Sequence, residues 1–110
     1  MDLYSDLITQ TKTLEIAVKQ LRKSGSDYAK AYTDYRVALA QELVKVRDEG
    51  TPVTLCSDLA RGNREVARLK FEEISKEAIY KANLESINAT KLKIRVIENQ
   101  IEKEWAQEKW

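Results

Sequence analysis

The densest run of one charge is Arg61, Arg64, Arg68 and Lys70, opposed inside the run only by Glu65. Four cations this close can neutralise phosphates, so the segment is a candidate contact for nucleic acid or an acidic partner. The same spacing lets helical arginines pair with acids one turn away, which makes the segment a polar helix start. Asp58 to Leu69 resembles a helix-turn-helix only loosely, because its Ala-to-Gly spacing is too short. Lys91, Lys93 and Arg95 form a second, solvated cluster. The carboxylates Glu72, Glu73 and Glu77 are close enough for paired acid–base work, but among lysines on a helix they read as ion-pair partners.

Catalytic schemes find little else. Histidine is absent, which removes the commonest base and metal ligand. Cys56, the single cysteine, lacks an imidazole to activate it and reads as a small buried apolar residue. Gly25, Gly50 and Gly62 are isolated stops rather than a phosphate-cradling loop. No catalytic, cofactor or metal residues are therefore assigned, and the chain is expected not to be an enzyme. Tyr28, Tyr32 and Tyr35 can stack bases, yet at helical spacing beside Leu39 and Leu43 they read as core or interface. Trp105 and Trp110 are the most suggestive aromatics, since tryptophan is enriched where proteins meet. Trp110 joins Arg61, Arg64, Arg68 and Lys70 as a candidate partner contact.

The elements that must position these groups are helical. The chain has 110 residues, only three glycines and one proline, so breakers are rare. Its 19 basic and 18 acidic residues nearly cancel, against both a strongly basic nucleic-acid binder and an acidic DNA mimic. One cysteine excludes an internal disulfide and suits a reducing compartment. The first residues lack a basic-then-apolar leader, and no run approaches the roughly 18 apolar residues of a membrane span. A cytoplasmic location in a bacterial host, with no membrane partner, is the expectation.

Leu3, Leu7, Leu14, Val18 and Leu21, with Gln10 and Ala17 between them, predict a first helix over 2–23. Ser24-Gly25-Ser26 predicts a turn, and Tyr28, Tyr32, Tyr35, Leu39, Leu43 and Val46 predict a second helix over 27–49. Gly50-Thr51-Pro52 is a stop. A short helix is expected over 54–61, capped by Thr54 and ending at Gly62. Asn63 then caps a helix over 64–108, about 65–70 Å long. The predicted fold is all-α: an antiparallel helical hairpin plus one long C-terminal helix, in a coiled-coil-like bundle forming a single domain.

The long helix is apolar on two faces. One carries Tyr80, Leu84, Ile87, Ile94, Ile97, Ile101 and Trp105, the other Ala67, Phe71, Ile74, Ala78, Ala82, Ala89, Leu92 and Val96. A surface helix needs one apolar stripe, so two stripes call for cover on both sides. A homodimer or higher oligomer using the first of these faces is the expectation. A break near Asn83–Asn88 would give a four-helix monomer instead, but no breaker stands there.

Several stretches carry a resemblance: Asp34-Tyr35-Arg36-Val37-Ala38-Leu39, Lys45 to Val53, Asp58-Leu59-Ala60-Arg61-Gly62, Ile79-Tyr80-Lys81-Ala82-Asn83, and Ile97 to Trp105. Together they resemble a family of small helical proteins of phages and prophages of Gram-positive bacteria. The resemblance implies an early, non-structural phage gene near replication and recombination functions, and it transfers no site residues. The expected function is a non-catalytic protein-interaction protein, acting on itself and on a host or phage protein such as a defence or replication factor. The alternative is an accessory nucleic-acid-binding protein using Arg61–Lys70.

Overall fold

A computed structural model describes residues 2–108. These form three helices and no strand: α1 (Leu3–Asp48), α2 (Val53–Gly62) and α3 (Arg64–Glu108). The all-α fold, the hairpin and the long C-terminal helix are all present. The hairpin turns at a different place from the one predicted. Residues 24–26 do not break the chain; α1 runs through them as one helix of 46 residues. The predicted helices over 2–23 and 27–49 are its two halves.

The reason lies in the heptad pattern. The inward residues of α1 are Leu3, Leu7, Gln10, Leu14, Ala17, Leu21, Ser24, Tyr28, Ala31 and Tyr35, in uninterrupted steps of three and four. Ser24 is itself a buried seam residue, and Gly25 admits the Tyr80 ring, whose nearest atom would lie 3.4 Å from an added Cβ. Ser and Gly weaken a helix by up to about 1 kcal/mol each. Burial of an apolar face on either side outweighs that loss.

The chain turns where Gly50 allows it. Gly50 has φ of 86°, the left-handed region that other residues avoid. Its N–H donates to Arg47 O and that of Thr51 to Val46 O, which satisfies the last carbonyls of α1 in a Schellman motif. Pro52, rather than Thr54, precedes α2 and contributes no side-chain cap. Asn63 caps α3 as expected: its Oδ1 accepts from the N–H groups of Glu65 at 2.9 Å and Val66 at 3.1 Å. No Gly or Pro interrupts α3, and it runs unbroken through Asn83–Asn88.

Contacts divide the chain into two units. The first joins the residues up to 23 with those from 81 onward, a two-helix layer of α1 and α3 in opposite directions. Ile87 and Thr90 are its buried residues on α3, and Ala17 its buried residue on α1. The second unit, Ser24–Tyr80, adds α2 and holds a cluster of buried core residues: Tyr35, Leu39, Ala60 and Val66, with Ala38, Leu43 and Leu69 packed on it. Here the α1 stripe swings from Tyr35 to Leu39 and Val46, toward the third helix, and Tyr32 is left exposed.

Candidate interaction surfaces

The stripe expected to lie between copies faces α1 of the same chain. Tyr80 stacks obliquely on Tyr28, ring centroids 6.1 Å apart. Ile87 is buried, and Leu84, Ile94, Ile97 and Ile101 are half-buried. α1 is unbroken, and within each unit its residues lie against this face of α3. Trp105 is the exception, 61% exposed at a shallow cavity of about 170 Å³ shared with Leu3, Tyr4 and Ile101. Trp110 lies outside the described residues.

The opposite stripe of α3 remains uncovered. In the second unit Phe71 is 68% exposed and Ile74 55%. In the first, Leu92 and Val96 are exposed and line a groove of about 410 Å³. Lys93 and half-buried Ile97 also line it from α3, and Asp6 and Gln10 from α1. Nothing in the sequence singles out Asp6, and Gln10 stands out only as a position in the α1 stripe. The nearest signal was Leu92 and Val96 on the second apolar face. Lys93 by sequence alone belongs to a solvated basic cluster.

The basic segment divides by helix. Arg61 lies in the last turn of α2, and Arg64, Arg68 and Lys70 occupy the first two turns of α3. Two of the four are already engaged. Arg68 pairs with Glu65 at 2.6 Å, an exposed contact that raises its pKa chiefly through the hydrogen bond. Lys70 donates to Glu73 at 2.8 Å and sits 4.8 Å above the Tyr35 ring, and the Glu73 bond is the main reason its pKa is raised. Arg61 and Arg64 have no ion pair among the described residues. Arg61, Lys70, Tyr35 and Ala67 line a cleft of about 410 Å³. The structure therefore brings Arg61 and Lys70 together from two helices and spends Arg68 locally.

The three carboxylates do separate tasks. Glu73 is 5% exposed and its charge is met by Lys70. Glu77 accepts a hydrogen bond from Tyr28. Glu72 is half-buried, and its charge acts on Arg68. Cys56 is buried in α2, its Sγ donating weakly to Pro52 O at 3.4 Å and Thr51 O at 3.5 Å. Among the described residues no three His, Cys, Asp or Glu side chains are grouped to hold a metal. No described helix is long and apolar enough to cross a membrane. No family model, curated protein or solved structure matches the chain.

Proposed function

We propose that this chain is a non-catalytic protein-interaction protein that works as a helical homo-oligomer. The observation that carries the reading is the uncovered stripe of α3, with Phe71, Ile74, Leu92 and Val96 each more than half exposed. Large apolar side chains sharing one helical face are costly to leave in water, about 25 cal/mol for each Å² of apolar surface. A stripe of this kind suits a helical partner. The likeness to small phage proteins adds the setting: a phage-encoded factor that docks on a host or phage protein, inhibiting a defence or replication component.

The test is light scattering at moderate and high salt, followed by affinity capture from host lysate with wild type and Phe71→Glu as parallel baits. A protein retained by the wild type, lost with Phe71→Glu and insensitive to salt carries the reading. A monomer that captures no such protein sinks it. The second reading, an accessory nucleic-acid binder, is favoured by the cleft where Arg61 and Lys70 meet. Its signature is binding that weakens steeply with salt, with a slope reduced by about one for each phosphate-contacting cation removed. Arg61→Ala and Arg64→Ala are the informative variants, because neither cation has an ion pair among the described residues.

A further inference from the structure

The first-unit groove is lined by one acid and one base from different helices, together with apolar side chains. Asp6 belongs to α1 and Lys93 to α3, which also supplies Leu92, Val96 and Ile97. Neither charge has an ion pair among the described residues. A surface with this arrangement is complementary to itself after a two-fold rotation, which is the condition for an isologous interface. A uniformly charged groove would instead select a foreign partner of opposite sign.

The exposed area agrees. The chain of 12.7 kDa exposes 8485 Å². A folded monomer of that mass typically exposes about 6,200 Å², leaving an excess of roughly 2,200 Å². Obligate homodimers bury about 1,000–2,500 Å² on each protomer, a range that includes this excess. The shortage of interior points the same way: among the described residues no large side chain is below 2% exposure.

We propose that the groove seats a second copy of the chain. Docked about a two-fold axis, Asp6 of one copy meets Lys93 of the partner subunit, and Lys93 meets Asp6 of the partner subunit. Leu92 and Val96 of both copies pack between these two ion pairs. The inference rests on the homo-oligomer reading and assigns it an address and a symmetry.

Charge exchange tests it. Mass in solution would be measured for wild type, Asp6→Lys, Lys93→Asp, an equimolar mixture of the two variants, and the double variant in one chain, with circular dichroism confirming helix content. The wild type is expected to be a dimer. Each single variant places two like-charge pairs in the interface and should weaken dimerisation by about tenfold or more. The mixture and the double variant restore opposite pairs, and with them the dimer. If the wild type is dimeric but the single variants associate equally well, or the mixture is no better than its components, the groove is not the interface and the oligomer reading survives elsewhere. If the wild type is a monomer, both fall.

Discussion

The hydroxyl of Tyr28 donates a 2.9 Å hydrogen bond to the carboxylate of Glu77, joining α1 to α3 inside the second unit. The bond favours the protonated phenol and raises its pKa, with burial and the charges of Glu77 and Glu73 acting in the same direction. A group whose folded pKa is raised contributes stability at pH values below its unfolded pKa and loses it as pH climbs through the folded value. The urea midpoint of the wild type should therefore fall through the alkaline range above about pH 10. Tyr28→Phe should fall less steeply over the same interval, starting from a lower midpoint at neutral pH. Parallel curves for the two proteins would show that the bond contributes nothing.

Gly25 separates the two possible courses of the chain. Inside a continuous α1, Gly25→Pro removes a helical hydrogen bond and clashes with the preceding turn, costing about 3 kcal/mol or more. At a hairpin turn the same change would be mild. Gly25→Ala gains helix propensity, and its Cβ meets only the edge of Tyr80 at 3.4 Å. It should stabilise the chain by about 0.5–1 kcal/mol, a rise of a few degrees in thermal midpoint. Thermal melts of the two variants against wild type decide the matter.

Ala60 is fully buried, at 0% exposure, where α2 meets Tyr35, Leu39 and Val66. A larger side chain has no room there. Ala60→Leu should destabilise by about 1–3 kcal/mol through overpacking, read from the denaturant midpoint at unchanged slope. An unchanged midpoint would mean that α2 is not packed on the other two helices as described.

Cys56 is buried, and its thiol donates weakly to the backbone carbonyls of Thr51 and Pro52. Reaction with a soluble disulfide reagent needs the helix to open first. Labelling under native conditions should be at least ~100-fold slower than in denaturant, and Ala60→Leu should accelerate it. Rapid native labelling would place Cys56 at the surface and reopen its role as a reactive thiol.

Much of the architecture was legible without coordinates, because helix formation here depends on local pattern. Scarce breakers, the cap at Asn63, the stop at Gly50-Thr51-Pro52 and the long run after Arg64 depend only on neighbours along the chain, and each is found where it was read. The seam of α1 was legible too, in that the steps from Leu21 to Ser24 to Tyr28 keep the heptad phase. The local weakness of Ser-Gly-Ser pointed the other way. Tertiary structure decided between these signals, since burying a continuous seam against α3 outweighs the poor propensity of three residues. It alone decided that Tyr80 lies against Tyr28 of its own chain, that Glu73 is buried beside Lys70, and that Asp6 and Lys93 share a groove. These relationships join residues dozens of positions apart, and a periodic sequence shows which face is apolar without showing what covers it.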